Sequence, residues 1–168
     1  MKILLSNDDG YDSTGIIELG KKLKSLGNVI TLAPSFEQSA KGHSFTMEEP
    51  LRLTEINSSR YHLNGTPADC VYFALNVLSP DVDLVVSGMN HGANLGQDVY
   101  YSGTVAAARE GAMQGKKAIA VSILKQGNAI NFERAAEVAV SIIASLLQRE
   151  WKDGLYWNIN IPSSILDS

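Results

Sequence analysis

A chain of 168 residues, 45% hydrophobic and 19% charged, has the make-up of one globular domain with a buried core. Its net charge of -4, with no basic stripe, argues against a nucleic-acid partner, and no apolar run suits a membrane span. The one cysteine, Cys70, cannot close an internal disulfide, which fits a reducing, cytoplasmic setting.

Lys2 to Ser6 reads as a short apolar strand, stopped by Asn7-Asp8-Asp9-Gly10. Adjacent carboxylates repel each other, and burial at a strand end raises the cost of their charge. Such a pair points to a neutralising cation, and hard divalent cations take oxygen ligands. The competing reading is an Asx-rich turn that caps the next helix. Thr14 to Leu26 carries Ile16, Ile17, Leu19, Leu23 and Leu26 at helical spacing, followed by Gly27. Val29 to Ala33 predicts a second strand, so the opening has the pattern of a parallel βαβ unit.

Ser35 to Pro50 is a long polar loop holding Ser39, Lys41 and His43, and long loops are often functional. Leu51–Leu53 and Tyr61–Leu63 flank a polar turn and predict a hairpin. Thr66 is the expected N-cap of a helix with Pro67 in its first position. That helix runs through Leu78 and is broken by Ser79-Pro80, with Cys70 packing on its apolar face. Leu84 to Ser87 predicts a buried strand, followed by a glycine-rich loop from Gly88 to Gly96. A small-residue helix follows Ser102-Gly103-Thr104, then a strand over Ala118–Ile123, a helix over Phe132–Leu147 and a strand over Tyr156–Ile161. Strands alternating with helices, with one inserted hairpin, predict an α/β fold with a mostly parallel sheet covered on both faces.

Ligands of such sheets sit beyond the carboxyl ends of the strands. Asp8, Asp9, Ser39, Asn90 and Asn94 all fall there, and all carry oxygen. Two carboxylates, a hydroxyl and an amide suit magnesium, manganese or calcium, and lack the Cys/His character of structural zinc. The helix opening at Ser102 offers free N–H groups and a positive dipole end to a phosphate, or simply an N-cap. His43 and His91 are secondary proton-donor candidates beside the alternative of solvated loop histidines. Lys41 is read as a solvated lysine or a source of positive charge, and Tyr100 and Tyr101 as packing residues or a base pocket.

The stretches LLSNDDG, NGTPADCV and VVSGMNHGANLGQDVYYSGTVAAAREGA resemble the SurE (survival protein E) family of metal-dependent nucleotidases, in the same order and spacing from Met1 to about Pro162. The resemblance implies a Rossmann-like phosphatase acting on nucleoside 5′- and 3′-monophosphates and on short polyphosphate. It implies one divalent cation, magnesium or manganese, on Asp8, Asp9, Ser39 and Asn90, with calcium an alternative in a crystal. Asp8 and Asp9 would also orient the attacking water. Asn94, Ser102, Gly103 and Thr104 match positions beside the metal and the phosphate, and Gly65 and Thr66 match a stretch near the substrate pocket.

Two departures stand out. The family loop commonly reads Arg-Ser-Gly where this chain has Gln38-Ser39-Ala40, so weaker phosphate affinity or an altered substrate preference is expected. The family also commonly continues into a swapped hairpin and C-terminal helix used for dimer and tetramer contacts. The expectation is one SurE-like domain over 1–168 that lacks this extension, with a homodimer or homotetramer tied to its presence. An aspartyl-phosphate route through Asp8 ranks lower, because a carboxylate committed to a metal is a poor nucleophile.

Two rivals come from other classes. A magnesium-binding receiver module needs a phosphoacceptor Asp at a central strand end, and Ser87 stands there instead. Lys125 is the one point in its favour. A dinucleotide-binding dehydrogenase needs G-x-G-x-x-G after the first strand, and Asn7 to Gly10 does not supply it.

Overall fold

Ile3, Leu4 and Leu5 are all inaccessible to solvent, as a strand covered by helices on both faces requires. They form β1 (Lys2–Ser6), the centre of a seven-stranded sheet in a computed structural model that describes residues 1–124, 130–162 and 164. Lys125 lies outside the described residues. After β1 the chain runs through α1 (Thr14–Leu23), β2 (Asn28–Pro34), β3 (Leu53–Asn57), β4 (Arg60–Leu63) and α2 (Pro67–Phe73), whose last turn widens into a π turn over Ala74–Leu78. Then come β5 (Leu84–His91), α3 (Asp98–Tyr101), α4 (Gly103–Met113), β6 (Lys117–Leu124), α5 (Phe132–Leu147) and β7 (Trp157–Pro162).

The strand order is β3-β4-β2-β1-β5-β6-β7, parallel except for the β3–β4 pair at one edge. The order reverses between β1 and β5, and at that switch point the carboxyl ends of two central strands open a crevice. Side chains alternate across the sheet. Ile3, Leu5, Leu84, Val86, Ile119 and Val121 pack under α1 and α5, while Leu4, Val85, Ala118 and Ala120 pack under α2 and α4. No helix of the described residues is long and apolar enough to cross a membrane.

Most elements fall where the sequence places them, and four differ. α1 stops at Leu23 rather than Leu26, because Ser25 and Leu26 close tight turns onto Lys22 and Leu23. The first hairpin arm is Leu53–Asn57 rather than Leu51–Leu53, and all five of its residues are exposed. β5 continues past Ser87 to His91, its pairing with β6 resuming at Asn90 after a bulge. α3 is a single turn between the glycine-rich loop and α4 for which the sequence carries no helical pattern.

A candidate metal and phosphate cleft

Three strands, β1, β2 and β5, carry polar groups to the switch point. A cleft of about 230 Å³ lies there, lined by Asp8 after β1, Ser39 and Ala40 after β2, Asn90 and His91 of β5, and Ala93, Asn94, Asp98, Tyr101 and Ser102. The structure thus brings Asp8, Ser39, Asn90, Asn94 and Ser102 together, although they are far apart along the chain.

Asp8 is almost fully buried, and its Oδ1 accepts a hydrogen bond from Thr104 Oγ1. Gly103 permits this close approach, since a Cβ there would stand 2.8 Å from Asp8 Cβ and 3.0 Å from its Oδ2. Burial pushes the Asp8 carboxyl up to about 6. The Thr104 hydroxyl holds it down in part, and the Asp9 charge adds to the rise. Asp9 is raised too, by burial and by Glu37, against the lowering effect of His91. His91 Nδ1 stands 3.5 Å from Asp9 Oδ2, within ion-pair reach but too far for a good hydrogen bond. Asp9 Oδ2 is therefore buried with no hydrogen-bond partner among the described residues.

An orphaned carboxylate oxygen beside a second buried carboxylate is the environment a hard cation suits. The remaining donors fit as well. Asn90 spends its Nδ2 on Gly92 O at 2.7 Å, which leaves Oδ1 free of that bond. Ser39 Oγ donates to Glu37 Oε1 at 2.7 Å and keeps its lone pairs. Among the described residues no three His, Cys, Asp or Glu side chains gather, so the set rests on hydroxyl and amide oxygen as well as carboxylate.

The other candidates have visible structural duties. Ser102 lines the cleft and also caps α4, its Oγ accepting from Val105 N–H at 3.1 Å. Gly103 and Thr104 serve Asp8 from behind rather than lining the cleft. Thr66 and Asp69 form a capping box at the start of α2. Thr66 Oγ1 also donates to Ser44 O at 2.7 Å. Gly65 packs on Asp69, where a Cβ would come within 2.8 Å of it. Tyr101 lines the cleft, whereas the exposed Tyr100 does not. Lys41 is exposed.

The loop carrying Ser39 is tied down along its length. Gln38 N–H donates to Asp8 O at 2.7 Å and Gly42 N–H to Tyr101 O at 2.9 Å. His43 Nε2 meets the buried Glu110 Oε2 at 2.8 Å, so this histidine is an anchor pinned to α4. Thr46 gives its N–H and hydroxyl to Asp69. Ala40 holds a φ of +58°, a conformation that favours glycine. Cys70 is fully buried and its thiol is pushed well up, so it is unreactive.

Sequence reasoning missed Glu37, Asp69, Glu110, Ser122, Asn158 and Asn160, all of which hold parts of this region. Only the last two leave a signal, as a pair of amides two residues apart in an otherwise apolar strand.

Comparison with known proteins agrees with this architecture. A family model described as "Survival protein SurE" matches residues 3–168. The chain is 46% identical over 170 residues to the 5′-nucleotidase SurE of Vibrio parahaemolyticus, covering 100% of this chain and 65% of that protein. It is 45% identical over 163 residues to the 5′-nucleotidase SurE of Pelobacter propionicus, covering 96% of this chain and 66% of the relative. A crystal structure of Sure protein from Aquifex aeolicus superposes with a TM-score of 0.91 at 44% identity, covering 97% of this chain and 66% of that one. The chain spans just under two thirds of the length of these relatives.

Proposed function

The chain belongs to the SurE family, and on that premise we propose that it is a metal-dependent phosphomonoesterase that releases phosphate from nucleoside 5′-monophosphates. Nucleoside 3′-monophosphates and short polyphosphate are the further substrates of this reading, and a reducing cytoplasm is its setting. The observation that supports it most is the buried, unpartnered Asp9 Oδ2 beside a cleft that gathers Asp8, Ser39 and Asn90 from three separate strand ends.

Asp8, Asp9, Ser39 and Asn90 would hold a divalent cation, magnesium or manganese. When bound, the cation draws charge from a phosphoryl oxygen and acidifies water. The chain's own residues do the rest. Thr104 and Gly103 fix Asp8 so that one carboxylate oxygen is committed to the Thr104 hydroxyl and the other is left for the cleft. Asp9 does not line the cleft itself; both carboxyls have a raised proton affinity, and an oxygen of Asp8 or Asp9 that the cation leaves free would orient a water and take its proton. Ser102 and Asn94 line the side where a phosphate's outer oxygens would lie. Tyr101 lines the cleft and is largely exposed, an aromatic side chain on which a nucleobase would stack.

The test is phosphate release from AMP, GMP and an aryl phosphate, with and without manganese. The expected result is turnover that EDTA removes, manganese restores and Asp8→Asn abolishes. Absence of turnover under all these conditions, with only acid-labile phosphorylation from a small phosphodonor, contradicts the proposal.

A further inference from the structure

β7 alternates Asn158, Ile159, Asn160 and Ile161. The period of two puts both isoleucines into the core under α1 and α5 and turns both asparagines to the opposite face. Strand register then sets Asn160 beside Ser122 of β6, and Ser122 beside Asn90 of β5. A polar row therefore crosses three strands at the height of the cleft.

That row holds one residue. Asn160 Oδ1 accepts from Asn94 N–H at 2.8 Å, and Asn160 Nδ2 donates to Asn94 O at 3.3 Å. Asn158 Nδ2 donates to the same carbonyl at 2.9 Å. Ser122 Oγ accepts from Asn94 Nδ2 at 2.8 Å. Both main-chain polar groups of Asn94 are thus satisfied by side chains 64 and 66 residues away, and not by a helix or strand ladder of its own. The two main-chain contacts also fix the orientation of the Asn160 amide, because an N–H needs its oxygen and a carbonyl needs its nitrogen. A loop held in this way stands where those side chains put it.

We propose that Asn160, with Asn158 beside it, is a positioning residue that sets Asn94 in the cleft. It does not line the cleft and acts through the Asn94 main chain. The inference rests on the phosphatase reading only for its kinetic arm.

The experiment compares Asn160→Ala, Asn160→Asp, Asn94→Ala and the Asn160→Ala/Asn94→Ala double variant in the full chain. Hydrogen exchange at the Asn94 amide should rise about tenfold in Asn160→Ala, the order expected for loss of one hydrogen bond. Asn160→Asp keeps the acceptor for that N–H but sets an anionic oxygen against Asn94 O in place of the donor, so its exchange should still rise above wild type, by less than in the alanine variant. It carries the same comparison should the alanine variant not fold. With manganese and an aryl phosphate, Asn160→Ala should lose about 10- to 100-fold in kcat/KM, the size of a misplacement of about 1 Å. In the Asn94→Ala background the same change should cost less than about twofold, since the side chain that Asn160 positions is already gone. Wild-type exchange at Asn94 in Asn160→Ala overturns the proposal, as does an undiminished kinetic loss in the Asn94→Ala background. If the wild type shows no hydrolysis at all, the phosphatase reading falls, and the exchange measurement still decides this one.

Discussion

Asp8→Asn separates the stability of the fold from the chemistry of the cleft. Burial raises the Asp8 carboxyl from 3.8 to about 6 in the folded chain. An acid raised in this way costs nothing below pH 3.8, where it is protonated in both the folded and unfolded states. Above pH 6 it is charged in both, and the fold then carries the whole penalty, about 3 kcal/mol at about 1.4 kcal/mol per pH unit. Asparagine has the same shape, keeps an oxygen to accept from Thr104 Oγ1, and is neutral at every pH. In EDTA at pH 8 the variant should therefore be the more stable protein, by up to about 3 kcal/mol, or about 6–12 °C in Tm for a domain of this size. The gain should shrink as pH falls through 6 and disappear below 3.8, while phosphate release from AMP is lost. Thermal unfolding in EDTA from pH 3.5 to 8 reads this directly. A variant no more stable than wild type at pH 8, or a difference that does not change with pH, refutes the reasoning.

Thr104→Val removes the hydroxyl that holds the Asp8 carboxyl down, so the stability that the metal-free protein loses as pH rises from 3.8 should be larger and the loss should run to a higher pH, measured by the same unfolding series. Ala40→Gly relieves a positive φ and should stabilise the Ser39 loop by up to about 1 kcal/mol once the greater freedom of glycine in the unfolded chain is subtracted, read from urea midpoints. His43→Ala leaves the Glu110 carboxylate buried without its imidazole. It should lower stability by about 1–3 kcal/mol and speed proteolysis between Ser35 and Pro50.

Much of the fold is legible because local signals and tertiary packing agree. β1 is apolar on both faces and bounded by Asn7, and the long periodic run from Phe132 to Leu147 becomes α5 with the same ends. Thr66 and Pro67 announce the start of α2 with a cap and a preset φ. The extension of β5 is not legible, because Gly88-Met89-Asn90 reads as a loop and only pairing with β6 across a bulge makes it a strand. Nor does β3 carry a pattern, since all its residues face water and its place comes from the antiparallel register with β4.

The strand-end rule singles out Asp8, Ser39, Asn90 and Asn94, which line the cleft, because it depends only on topology, and it also picks Asp9, which does not line it. Ser39 and Asn90 bond to Glu37 and Gly92 close by, but much of what holds the region in place is hidden, because the partners are remote in the chain. Asp8 meets Thr104 across 96 residues, His43 meets Glu110 across 67, and Asn94 meets Asn160 across 66. A buried Glu on a small-residue helix, or an Asn pair in a strand, shows only that some partner must exist.

The proposal at the centre is that the Asp8 and Asp9 carboxyls, the Ser39 hydroxyl and the Asn90 amide share one hard cation. Manganese titration followed by electron paramagnetic resonance tests it most directly, with wild type and Asp9→Asn compared at pH 7.5. One manganese ion per chain in the wild type, with binding weakened at least about tenfold in Asp9→Asn, is the expected result. No bound manganese in the wild type, or equal affinity in both proteins, contradicts the claim.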